Sequence, residues 1–237
     1  MGKQGLGKFL TALTGMALLG AALPAVAGQW VVIAAGQTSL QLGAVLDGGK
    51  PLKLAEGAQL TLLAEDGKTL KLSGPYSGAP ENGGVTTDAP TDNLTTIAGL
   101  LQGHQQSAST LGVMRGNGAQ QLPTAGLINV DQSGERCLSG DPVILWRGHA
   151  ANAEQVTLTD GQGAALAHLT WPARQTELPV PGHYFEDGKS YLLQRPGKSV
   201  SLRVHKTAML PDNPAARAAW MAKNGCKAQA LIVLGGL

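Results

Sequence analysis

The sequence predicts a mainly β protein of two small β-rich units, an N-terminal β-roll or sheet and a C-terminal antiparallel sandwich, with a short linking helix and a C-terminal helix. Three observations carry this expectation. Apolar and polar residues alternate over short runs, as in "LKL", "QLTLL" and "SVSLRV", and a period of two puts one side chain in two on the same face of a strand. The 33 glycines fall largely between those runs, where turns need them. Long stretches with apolar residues at helical spacing are confined to two places.

Residues 1–27 read as a signal peptide. Lys3 and Lys8 precede the apolar run Phe9 to Leu23, and Pro24-Ala25-Val26-Ala27 closes it. A cationic start, an apolar stretch and small residues before a break are what signal peptidase reads, so cleavage is expected between Ala27 and Gly28. The run is shorter than the roughly 20 residues a membrane span needs. The expectation is therefore a periplasmic or secreted protein whose mature chain has no transmembrane anchor. Removing Lys3 and Lys8 leaves 16 basic against 16 acidic residues, from 18 and 16 in the whole chain. A neutral chain has no general attraction to nucleic acid or to an anionic membrane surface, so no nucleic acid is expected among its partners.

Residues 28–78 form the first unit. "WVVIAAG" reads as a strand, and the pairs Leu40/Leu42, Leu52/Leu54, Leu60/Leu62 and Leu70/Leu72 alternate with polar residues. Asp47-Gly48-Gly49, Glu56-Gly57 and Asp66-Gly67 separate them and supply tight turns. "GPYSG", Gly74 to Gly78, follows the last pair. Its Ser77 lacks the spacing of a nucleophile elbow, and no Gly-Lys-Ser/Thr opens a helix to cradle phosphate. It reads as a terminator, since Pro75 donates no ladder hydrogen bond.

The run Leu42-Gly43, Ala55-Glu56-Gly57-Ala58, Leu60, Leu62, Asp66-Gly67, Leu70 and Leu72 resembles the FecR-type periplasmic β-domain. That family repeats turn glycines and alternating leucines in this order, here over roughly residues 30–78. The resemblance implies a β-rich envelope module, which in some members relays a signal to a cytoplasmic regulator. The whole chain is also similar to exported proteobacterial proteins that join such a module to a second β-domain.

Residues 79–120 read as a linker with a short helix. Pro80, Gly83, Gly84, Asp88 and Pro90 crowd its start. In "TDNLTTIAGLLQGHQQSAST" Leu94, Ile97, Leu100 and Leu101 recur at helical spacing, with Thr91 or Asp92 as cap. Residues 121–206 then offer the strands "GLINVD", "PVILWRG", "EQVTLTDG", "AALAHLTW", "TELPV", "KSYLLQR" and "SVSLRVH", whose spacing fits a sandwich. Trp146, Trp171 and Tyr191 are its expected core aromatics. In the helical segment 207–237, Asp212 is the expected N-cap and Pro214 sits in the first turn. Asn224-Gly225 ends or bends the helix, and Trp220 docks it on the second unit.

Catalytic chemistry has little to stand on. The histidines at 104, 149, 168, 183 and 205 show no metal-ligand spacing. Asp131, Glu135 and Asp141 lie near Cys137 without a spacing that marks an acid/base pair. No catalytic, cofactor-binding or metal residue is assigned and no cofactor is expected. The expected function is a non-catalytic binding or scaffold module of the envelope, its partner an envelope protein or cell-surface component. An accessory component of an envelope signalling system and a hydrolase with an unrecognised site are the alternatives. Cys137 and Cys226 are the two cysteines. In an oxidising compartment two thiols generally pair, and a bridge would staple the terminal helix to the second unit.

Overall fold

The computed structural model describes residues 28–80, 92–110 and 122–237. The signal segment 1–27, the Pro- and Gly-rich start of the expected linker at 81–91, and residues 111–121 lie outside them. The described chain is mainly β, with several sheets and three helices.

The first unit holds β1 (Gln29–Gly36), β2 (Val45–Asp47), β3 (Leu52–Leu54), β4 (Gln59–Ala64), β5 (Thr69–Ser73) and β6 (Tyr76–Gly78). Four form an antiparallel sheet in the order β2-β1-β4-β5, and β3 pairs with β6 in a separate ribbon. Alternation works as expected along β4 and β1. Trp30, Val32, Leu60, Leu62 and Leu72 face the ribbon, where Leu54 joins the same buried cluster. Val31 and Leu63 point to the opposite face.

Two local expectations need correction. Leu40 and Leu42 pack against the core but lie on no strand; the chain turns at Gly43, whose φ is +79°, and the strand begins at Val45. "GPYSG" does not end pairing either. The chain leaves the four-stranded sheet at Gly74 and at once pairs Tyr76 with Leu54. Gly74 is needed there for proximity, because a Cβ would lie 1.7 Å from the Ala55 carbonyl oxygen.

The second unit holds β7 (Leu127–Asn129), β8 (Gly134–Ser139), β9 (Val143–Trp146), β10 (Glu154–Asp160), β11 (Ala165–Trp171), β12 (Glu177–Val180), β13 (Ser190–Arg195) and β14 (Lys198–Thr207). A five-stranded sheet, β11-β10-β13-β14-β8, and a three-stranded sheet, β12-β9-β7, enclose one core. Val156, Leu158, Leu193, Leu202 and Val204 from the larger sheet meet Ile128, Val143, Leu145 and Val180 from the smaller. Trp171 and Tyr191 fill this core as expected, and Tyr191 meets Phe185 edge-on at 5.2 Å between centroids. Trp146 is buried as well. The sandwich is not wholly antiparallel: β8 pairs parallel to β14, and β7 parallel to β9.

Three helices join the units. α1 (Asp92–Thr110) lays Leu94, Ile97, Ala98 and Leu101 against Val31 and Leu63. α2 (Pro214–Lys223) packs Ala215, Ala218 and Ala219 into the same cluster, and α3 (Lys227–Gly235) adds Leu234. Small alanines let the helices approach closely. Asn213, rather than Asp212, caps α2, its Oδ1 accepting from the Ala216 N–H at 3.1 Å. Asn213 also presses on the β4–β5 turn, where a Cβ on Gly67 would lie 2.7 Å from its Oδ1. Gly225 ends α2 with φ +75°. The broad apolar face of the terminal helices thus lies on α1 and β1, while Trp220 borders a smaller cluster of Met221, Ala230 and the two cysteines.

Candidate functional site

The sulfurs of Cys137 and Cys226 lie at disulfide-bonding distance, with Cα atoms 5.9 Å apart and a separation of 89 in sequence. Cys137 is on β8, an edge strand absent from the expected set because its Gly, Glu and Arg break the apolar alternation. Cys226 precedes α3. Beside this pair Gln229 is 2% exposed. Its carboxamide accepts from the Cys137 N–H at 2.8 Å and donates to the Cys137 carbonyl at 2.9 Å and the Ala125 carbonyl at 2.7 Å. Of the expected cleavage pair, Ala27 lies outside the described residues. The Gly28 carbonyl accepts from the Gly48 N–H at 2.9 Å.

The acidic residues near Cys137 scatter into separate structural duties. Asp141 Oδ1 accepts from the Gly182 N–H at 2.8 Å. Glu135 Oε2 lies 2.7 Å from His205 Nε2 across the β8–β14 pairing. Asp131 belongs to a charge network that the sequence does not announce. Its Oδ2 accepts from the Gly148 N–H at 2.6 Å and its Oδ1 is 3.1 Å from Arg195 Nη2. Glu154 then bridges Arg195 Nε at 3.3 Å and Arg147 Nη1 at 3.1 Å.

Arg147 is fully buried, with its guanidinium carbon 4.8 Å from the Trp171 ring centre. It donates from Nε to the Gln175 carbonyl and from Nη2 to the Asn152 and Pro172 carbonyls. A planar fork can do this where an ammonium cannot. The network ties β9, β10, β13 and the strand-joining loops together. Its geometry is that of a structural clamp, with the charges turned onto one another and onto backbone.

His104, His149, His168 and His183 are exposed and lie on different elements or loops. His205 is the one histidine whose ring meets a carboxylate among the described residues, and its hydrogen bond there reaches no Ser, Thr or Cys. Among the described residues no three His, Cys, Asp or Glu side chains are grouped to hold a metal.

A concave surface lies where the helices meet the second unit. An open furrow of about 690 Å³ runs between α1 and the β7–β8 loop, floored by Ala228, Leu231 and Ile232 of α3 and rimmed by His104, Asn129 and Gln132. At Asn129 and Gln132 it meets a recess of about 200 Å³ bounded by Glu135, Arg136 and Lys227. At His104 and Leu231 it meets a third hollow of about 300 Å³ beside Gly99 and Gly103, where α1 carries no side chains. Burial pulls the Arg136 guanidinium below its ordinary value, against the Glu135 charge, which raises it. The three hollows share lining residues and form one furrow with an apolar floor and a polar rim.

Comparison with protein-family models, curated proteins and solved structures gives no match.

Proposed function

We propose that the protein is an exported, non-catalytic binding or scaffold module of the cell envelope, and that the furrow along α3 receives a segment of a polypeptide partner. The furrow carries this reading. An enzyme or small-molecule site generally encloses most of its ligand in a deep pocket with converging polar groups. This furrow is open along its length, with Leu231 and Ile232 in the floor and amide and charged groups at the rim. An apolar floor with a hydrogen-bonding rim suits a chain that offers side chains downward and backbone amides outward.

Two further features support the setting. The paired cysteines fit an oxidising compartment, and no helix among the described residues is long and apolar enough to cross a membrane. The FecR-type resemblance of roughly residues 30–78 points the same way.

The test is affinity capture from envelope extract with the native chain and with Leu231→Lys and Ile232→Glu variants. One envelope protein recovered stoichiometrically with the native chain, and at least tenfold less with the variants, fits the reading. Equal recovery with native and variant chains would contradict it, as would recovery of none.

A further inference from the structure

The sheet edges of this protein are not equally protected. An exposed edge offers a row of unpaired N–H and C=O groups, and proteins blunt such edges with short strands, charges, proline or a cover. β2, β7, β3 and β6 are three residues each. β5 carries Lys71 at its centre. β12 carries Glu177 and Pro179. The free edge of β8 is occupied by the Gln229 carboxamide.

β11 has one of the devices that guard an edge, a β-bulge near its start, and beyond it none. It is seven residues long, ALAHLTW, with no lysine, acid or proline, and lies at the end of the five-stranded sheet. One irregularity interrupts it, where Ala167 pairs with Leu158 and Ala165 with Thr159, leaving Leu166 as an extra residue. From Ala167 to Trp171 the ladder is regular. No backbone group of these five residues bonds to anything beyond β10 among the described residues. Leu169 is a half-buried residue packed against the sandwich core.

We propose that two copies of the chain pair through β11, antiparallel about a two-fold axis at Leu169, so that the five-stranded sheets join into one. Parity selects the register. Residues directly opposite in an antiparallel pair point to the same face, and a one-residue slip would turn core side chains to solvent. Ala167, Leu169 and Trp171 face inward, opposite Leu158, Val156 and Glu154 of β10. The axis must therefore pass through a residue rather than between two. Leu169 is the midpoint of the regular segment, so an axis there pairs all five residues. It sets Leu169 against its own copy, covering both, and sets His168 opposite Thr170 of the other copy on the outer face.

The second copy is the occupant this edge fits because its pattern is its own complement. The outward positions, His168 and Thr170, carry no like charges to repel, and their neighbours on β10, Thr157 and Gln155, are uncharged partners already bonded to them at 3.2 and 3.3 Å.

Analytical ultracentrifugation of the purified chain across a concentration series reads this directly. The native chain should show a monomer–dimer equilibrium. The double variant His168→Lys/Thr170→Lys sets two like-charged pairs across the axis and should weaken the dimer by about tenfold. His168→Lys/Thr170→Glu sets two opposite-charged pairs in the same places and should dimerise at least as well as native. Both changes are on exposed side chains, and unchanged melting temperatures confirm folding; His168→Glu/Thr170→Glu, which also sets two like-charged pairs across the axis, serves if the double lysine variant fails to fold. A native chain that stays monomeric at every concentration overturns the proposal. So does a lysine pair that dimerises as native does, since the dimer would then use another face.

Discussion

The Gln229 carboxamide brackets Cys137, accepting from its N–H at 2.8 Å and donating to its carbonyl at 2.9 Å. One side chain of α3 thereby takes the place that a neighbouring strand would have on the edge of β8. A third bond, to the Ala125 carbonyl, ties the segment before β7 to the same amide. The link is non-covalent and sits beside the Cys137–Cys226 pair, so the amide holds the helix on the sandwich whatever the state of the thiols.

Replacing Gln229 with Ala should therefore destabilise the protein well beyond the loss of an average side chain. Buried backbone groups left without partners cost roughly 1–3 kcal/mol each, and helix propensity slightly favours Ala. A loss of about 2–4 kcal/mol in urea denaturation is expected. Gln155→Ala, on the exposed face of β10, should change stability by less than about 0.5 kcal/mol. Equal effects for the two would show that the Gln229 bonds carry no weight.

The cysteine pair should be oxidised in protein taken from the envelope without reductant. Closing a loop across 89 residues limits the unfolded chain by roughly 4–5 kcal/mol in the chain-entropy account. Thiol titration in denaturant should find no free thiol, and reduction should lower the melting temperature markedly. Two reactive thiols per chain would reject the staple.

Arg147 should prove structural. Truncation to Ala removes a fully buried side chain, leaves Glu154 with one partner fewer and takes a donor from the part-buried carbonyls of Asn152, Pro172 and Gln175, a loss of about 2–4 kcal/mol. Arg147→Lys should recover only part of this, because an ammonium cannot reach Glu154 and the three carbonyls together. A fully stable lysine variant would mean that the fork geometry is irrelevant.

Alkaline titration gives an independent check on the sandwich core. Burial raises the Tyr191 phenol above its ordinary value, partly offset by its bond from the Glu186 N–H and reinforced by Glu186 and Asp160. The folded state then holds the phenol proton longer than the unfolded chain does. The stability this contributes is complete below the unfolded tyrosine pKa, about 10, and is lost as pH rises through the folded value. Tyr191→Phe should flatten that alkaline decline in unfolding free energy. An unchanged slope would place the effect elsewhere.

Much of the fold was legible because alternation is a direct physical signal. Leu60 with Leu62, and Val200 with Leu202, sit where a period of two puts them. β8 was not legible: its stability comes from pairing with β14 and from Gln229, both remote in sequence. The same holds for the Arg147 network, whose acid and base partners come from separate segments. Ala215, Ala218 and Ala219 announce a helix but not its partner, and the contact with α1 and β1 rests on shape. The furrow is likewise assembled from α1, α3 and the β7–β8 loop, none of which carries a motif.

The most direct test of the binding account is site-specific photocrosslinking in intact cells. A photoreactive residue at Leu231 lies in the furrow floor, and one at the exposed Lys189 reports on a surface away from it. The account predicts one discrete crosslinked species from position 231, absent from position 189 and displaced by excess unlabelled chain. No crosslink at 231, or the same products from both positions, would contradict it.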